Sequence, residues 1–350
     1  MIKDILSYIR KNGRILGLSS EENLTFIQLM LSRGKKYEKG RVVYAIFGET
    51  SPVPILYAKV SRDPSSDSSL ESEYACLLRL RALSDPMIDD STPAPLQLVT
   101  VADRLVLFES PLPGSSVVRL LSRPIELAPR IEDFTEAIIK LTGEWLSHFQ
   151  RVTACGTETI GEHFITSRVK PILDRYLHYV GRSETSEKMC SILLSRLQTF
   201  GGTTLRMVMT NGNLAPHTIL VDNQPSRLGL PDWKFCDTTS LVLREHYCFA
   251  QYMFYEWSSR GLLGPGDVEK HWTQTFINAD NFLGEGLSDF IQKTNRSLGI
   301  AKELEDVMFP LFMINELNVQ MEFSQFVPDP RMMTEHRLLD SWMRNASYKC

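Results

Sequence analysis

Residues 209–233 read MTNGNLAPHTILVDNQPSRLGLPDW. A polar Asn-Gly-Asn opens the stretch, and the apolar run TILV follows. The turn-forming Asp222-Asn223-Gln224-Pro225-Ser226 comes next, then a second short apolar run that ends on Pro231-Asp232-Trp233. Two short strands around a turn are expected over 218–231. A hairpin that ends on one aspartate, with Asn211, Gly212 and Asn213 just ahead of it, suggests polar groups held on a rigid support.

Helical periods dominate the chain around this hairpin. Phe134, Ile138, Leu141, Trp145 and Phe149 recur over four turns and read as a core stripe. Helices are expected near 162–180, 186–200, 241–258, 267–293 and 300–325, with the hairpin as the β structure of this half. Upstream the pattern changes. LTFIQLML, RVVYAIFG and PVPILYAKV (24–60) are rich in Val, Ile, Leu, Phe and Tyr, and read as strands. SRGKKYEKGR joins the first two, carrying Gly34, Gly40, Lys35, Lys36, Lys39 and Arg41. A polar break, SRDPSSDSS, precedes LESEYACLLRLRAL (70–83), whose Leu70, Tyr74, Leu77, Leu78 and Arg81 predict one helical face. Glu73 lies near that face, with Glu71 as its rival. Two further strands are expected around PLQLVTVAD and RLVLFES, and PLPG (111–114) punctuates the chain.

Bulk properties exclude some classes. The 350 residues are 43% hydrophobic and 23% charged with a formal charge of −4, ordinary for a globular protein and no electrostatic case for nucleic acid. No window of eighteen apolar residues predicts a membrane span. MIKDILSYIRKNGRILGL is interrupted by charges, unlike a secretory signal. Six cysteines are scattered without a C-x-x-C pair, so free, mostly buried thiols in a reducing, cytoplasmic setting are expected.

The order of these features resembles the protein-kinase-like fold, and in particular the aminoglycoside phosphotransferase and choline kinase group. That family's loop reads His-Gly-Asp-Leu-x-Pro-x-Asn before an apolar strand. Here the matching run is Asn211-Gly212-Asn213-Leu214-Ala215-Pro216-His217-Thr218, and the second strand ends Leu230-Pro231-Asp232-Trp233-Lys234. The resemblance implies an α+β, bilobal chain: a nucleotide-binding lobe of antiparallel sheet plus one helix at 1–110, a hinge at 111–115, and a mainly helical lobe at 116–350. It further implies ATP and Mg²⁺ as cofactors, with Lys59, Glu73, Gly40 and Glu109 on the nucleotide side, Asp232 and Thr218 at the metal, and Asn213 in the place of the catalytic aspartate. A small-molecule acceptor or a protein partner follows from it, without nucleic acid or membrane.

The departures cluster at the loop. Asn213 has no basicity near neutral pH, although its amide oxygen accepts a hydrogen bond. Thr218 offers a hydroxyl where the family offers an amide, Asn211 replaces a histidine, and Lys234 puts a cation beside Asp232. General-base help is worth about 10²–10⁴ in rate, so the expectation is a kinase-fold protein impaired in transfer, with nucleotide binding retained, weakened or lost. The alternatives are an active phosphotransferase acting on a small-molecule hydroxyl, and a non-nucleotide module in which Lys234 pairs with Asp232. Each residue also has a plainer reading. Lys59 suits an exposed strand face, Asp232 a cap, Asn213 a turn, Thr218 the start of a β-run, His217 the surface and the basic turn a solvated loop.

Overall fold

The computed structural model describes residues 1–18, 23–29, 41–123, 131–324 and 330–345. Gly34, Lys35, Lys36, Lys39 and Gly40 lie outside the described residues. The chain divides into two compact units, Met1–Val117 with Thr218–Cys236, and Val118–His217 with Asp237–Cys350.

In the first unit, β1 (Thr25–Leu29), β2 (Arg41–Phe47), β3 (Leu56–Ser61), β4 (Pro95–Val101) and β5 (Arg104–Glu109) form an antiparallel sheet. Its order is β1-β2-β3-β5-β4. Successive residues of a strand face opposite sides, so the continuous apolar runs of β2 and β3 reflect cover on both faces. Val42, Tyr44, Ile46, Ala58, Val60 and Phe108 pack with Ile5 and Ile9 of α1 (Ile2–Asn12) in one core cluster. Tyr8 of α1 stacks on Phe108 at 5.6 Å and donates to Gln97 Oε1 at 2.8 Å. The opposite face carries the other parity. The register sets Arg41 opposite Ser61, Val43 opposite Lys59, and Tyr57 opposite Glu109.

The helix α2 (Asp67–Arg81) packs near β3, β4 and β5. Its buried stripe is Leu70, Glu73, Cys76, Leu77 and Leu80, while Leu78 is 45% exposed. The face expected from Leu70, Tyr74, Leu77, Leu78 and Arg81 is therefore corrected by a rotation about the helix axis. The physical reason is Glu73, which turns inward to meet buried cations.

That rotation also points Cys76 inward, where it is joined to Cys236 by a disulfide with Cα atoms 6.4 Å apart. The expectation of free thiols fails for this pair, and holds for Cys155, Cys190 and Cys248. No sequence spacing signals a pairing across 160 residues.

Leu220–Val221 pairs with Ser115–Ser116, and Leu220 bridges to Gly229, so the expected hairpin forms and docks on the chain after PLPG. Gly114 has φ +103°, and a β-carbon there would sit 2.8 Å from the Val221 carbonyl oxygen. Gly114→Ala is expected to cost about 1–3 kcal/mol, combining left-handed strain with a backbone clash. Thermal denaturation measures it, and an unchanged midpoint would mean the crossing can relax.

The second unit is mainly helical, as expected. Ile131–Val152 buries Phe134, Ile138, Trp145 and Phe149 and packs with Phe282–Leu298. Further helices span Lys170–Val180, Glu184–Thr199, His246–Ser259, Lys302–Ser324 and Pro330–Asn345. One feature of this unit differs from the sequence reading: Gly156–Thr159, Thr204–Thr210 and Asp237–Thr239 make a three-stranded antiparallel sheet. Its outer strands are short and polar, so they carry no apolar alternation to read. Among the described residues, no helix is long and apolar enough to cross a membrane.

Candidate functional site

Six charged side chains of the first unit converge. Lys59, 4% exposed, sends its ammonium to Glu73 Oε1, Glu109 Oε1 and the Pro231 carbonyl, each at 2.7 Å. Those three acceptors match the three N–H donors of an ammonium. Glu73 is fully buried and accepts from Lys59, from Arg41, and from the Trp233 backbone N–H at 3.0 Å. Glu71, its rival in the sequence, is exposed. Arg41 bridges Glu73 and Asp232, reaching Asp232 Oδ1 at 2.8 Å. Lys234 Nζ stands 3.4 Å from Asp232 Oδ2.

The electrostatics follow from burial and pairing. Burial works against the charge on Lys59, but Glu109 and Glu73 outweigh it and raise its pKa. Arg41 is treated likewise: burial opposes its charge, and Glu73 and Asp232 more than restore it. Burial would raise Asp232, yet Arg41, Lys234 and Lys59 hold its carboxyl well below the usual carboxylate range. Glu109 goes the other way. Burial pushes it up to about 7 despite Lys59, and its Oε2 is buried without a hydrogen-bond partner.

The sequence-predicted Lys59, Glu73, Glu109 and Asp232 are thus brought together. Arg41, read from sequence only as part of the basic turn, is the residue that was missed. Its signal lay in the register: it shares a sheet face with Lys59, two residue pairs along the ladder. Thr218 is buried in the same unit, at 8% exposure.

A magnesium ion would need open carboxylate oxygens. In this arrangement Asp232 Oδ1 takes Arg41 at 2.8 Å and Oδ2 lies 3.4 Å from Lys234 Nζ, so cations of the chain compete for both oxygens. Among the described residues, no group of three His, Cys, Asp or Glu side chains is placed to hold a metal. As arranged, the Asp232 carboxylate is matched to cations of the chain, which a divalent ion would have to displace.

Asn213 belongs to the second unit. Gly212 has φ +74°, a conformation suited to glycine. The Asn213 N–H donates to Asn211 Oδ1 at 3.2 Å. The turn is gripped from the residues that lead into helix His246–Ser259. The Gly212 N–H donates to Glu245 Oε1 at 2.8 Å, and Arg244 Nε donates to the Gly212 carbonyl at 2.9 Å. Arg244 is itself held by Glu316 at 2.7 Å, which also accepts from the Tyr252 hydroxyl at 3.2 Å. Burial pushes Glu245 up to about 7, against the hydrogen bonds from Gly212 and Asn211. Sequence reading did not single out Glu245, Arg244 or Glu316, and nothing in their spacing marks them.

No family model and no curated protein matches the chain. Among solved structures, it is similar to an aminoglycoside phosphotransferase from Streptomyces rimosus at 15% identity, covering 90% of this chain and 98% of that one, with a TM-score of 0.47. It is also similar to a macrolide 2'-phosphotransferase type I at 10% identity, covering 99% and 98%, with a TM-score of 0.49. A glucosamine kinase gives 12% identity, 93% and 92% coverage, and a TM-score of 0.48. Likenesses of this strength fix neither substrate nor reaction.

Proposed function

We propose that this chain is a kinase-fold protein of the small-molecule phosphotransferase type that is impaired in phosphoryl transfer and acts by binding a small molecule or a protein partner. The observation that carries the reading is the closed ion cluster. Lys59 spends its three donors on the chain, and both oxygens of Asp232 face cations of the chain. Phosphoryl transfer works by positioning and charge neutralisation. Here the neutralising groups neutralise one another. Asn213 adds a loop without a basic side chain.

An active phosphotransferase remains the second reading, favoured by the Lys59–Glu73 pair and the well-held turn at Asn211–Asn213. Calorimetric titration of ATP and ADP, with and without Mg²⁺, on the wild type and on Lys59→Ala separates the two. The expected result is no Mg²⁺-dependent binding to the wild type. Tight Mg²⁺-dependent binding that Lys59→Ala abolishes, followed by transfer to an alcohol in an acceptor panel, would establish the second reading instead.

A further inference from the structure

The disulfide and the ion cluster are built from the same two segments. Cys76 follows Glu73 by one turn on the buried stripe of α2. Cys236 closes the segment that supplies Pro231, Asp232 and Trp233, and its N–H bonds back to the Trp233 carbonyl at 3.1 Å. One tie between the segments is therefore covalent, and polar ties stand beside it: Trp233 N–H to Glu73, Lys59 to both Glu73 and the Pro231 carbonyl, and Arg41 to both Glu73 and Asp232. The two sulfurs are unequal in access. Cys76 is 4% exposed, whereas Cys236 is only half-buried and follows the exposed Phe235.

We propose that Cys76–Cys236 is a reversible thiol–disulfide latch that sets how firmly the buried ion cluster is closed. Exchange depends on which sulfur is reached, and here it is Cys236. A thiolate of an external dithiol attacks Cys236 Sγ, forming a mixed disulfide. Cys76 leaves as a thiolate and takes a proton. The second thiol of the reductant then attacks its own sulfur of the mixed disulfide and frees Cys236. The reductant ends as a disulfide and the chain gains two thiols, so two electrons and two protons balance. Once the covalent tie is gone, the segment 231–236 is held by these polar contacts, by the Arg41 bridge between Glu73 and Asp232, and by the burial of the Trp233 side chain. These open together when the segment lifts, because Glu73 and Lys59 each serve in more than one of them. The inference concerns the opening of the cluster and does not depend on whether nucleotide binds.

The test uses the full chain. A non-reducing peptide map is expected to find Cys76 and Cys236 joined. Acylation of Lys59 by an amine-reactive ester, and hydrogen exchange at the Trp233 amide, are then followed by mass spectrometry before and after a dithiol reductant. Reduction is expected to raise both rates on the order of tenfold, as for a local opening step, and reoxidation to restore them. Cys236→Ser, which removes the accessible sulfur and leaves the α2 core intact, should hold both rates at the reduced value with or without reductant. Two free thiols in the air-oxidised chain would overturn the proposal. So would a joined pair whose reduction leaves both rates unchanged, since the bond would then be a cross-link with no hold on the cluster.

Discussion

Glu73→Leu is expected to destabilise the first unit by about 3–5 kcal/mol, the range for breaking a buried ion pair by removing one partner. The carboxylate is fully buried and receives Lys59, Arg41 and the Trp233 N–H. Leucine fills the volume but accepts nothing. Lys59 keeps Glu109, and Arg41 keeps Asp232, so the loss falls toward the lower end. The Trp233 N–H loses the Glu73 carboxylate as its acceptor, at a cost of about 1–3 kcal/mol within that total. The melting midpoint should drop by roughly 10 °C. Glu71→Leu, two residues away on the exposed face, should stay within about 0.5 kcal/mol of wild type. Equal, small effects from the two variants would mean that Glu73 is not the acid on which the cluster closes.

The second large effect is a pH dependence in the second unit, set by two neighbours of opposite sign. Burial holds His246 down to about 3 against Asn295, and its Nδ1 is buried without a partner. Its folded pKa is below the ordinary 6.5. The stability it contributes is therefore present above pH 6.5 and lost as pH falls toward 3. Glu245 is pushed up to about 7 from 4.5, so its contribution is present below pH 4.5 and lost as pH rises through 7. Between pH 6.5 and 4.5 the two slopes oppose, each roughly 1.4 kcal/mol per pH unit. The sum of these two contributions should be nearly level there. Below pH 4.5 only the His246 slope continues, and the unit should lose roughly 2 kcal/mol by pH 3. Glu245→Gln, which keeps an oxygen for the Gly212 N–H, should start the loss at pH 6.5. Hydrogen exchange along helix 246–259 reads the change. A Glu245→Gln curve that overlays the wild type would sink the pairing of the two slopes.

The residues that the family resemblance picks out were legible in the sequence. Lys59 on a strand, Glu73 near a helix face and Asp232 at the end of a hairpin are placed by local pattern, and they meet. Arg41 sits directly after a glycine in a basic turn, so its composition suggests solvent. Only the register opposite Ser61 turns it onto the Lys59 face. Glu245 serves a backbone amide 33 residues earlier, and a backbone amide leaves no trace in residue identity. The three-stranded sheet escaped for a related reason. The strand at 156–159 is mostly exposed, and a solvated polar strand lacks the alternation that marks a half-buried one. The helix α1 was weighed only as a leader segment, because what makes it a core element is the sheet face it covers.

The first unit is assembled from two pieces of chain separated by residues 118–217. At about 5–20 residues per second of synthesis, the earlier piece waits roughly 5–20 s before the later one is made. During that interval, Asp232 does not yet exist to receive Arg41, nor Trp233 to donate to Glu73. The nascent sheet therefore carries Arg41 without its second carboxylate, Glu73 without the Trp233 amide, and an open docking edge along residues 115–116. A ribosome stalled inside this window would leave a product prone to sticking to itself, and holding factors would have their longest claim on the polypeptide there. The completion of this unit is thus timed by the translation of the intervening hundred codons.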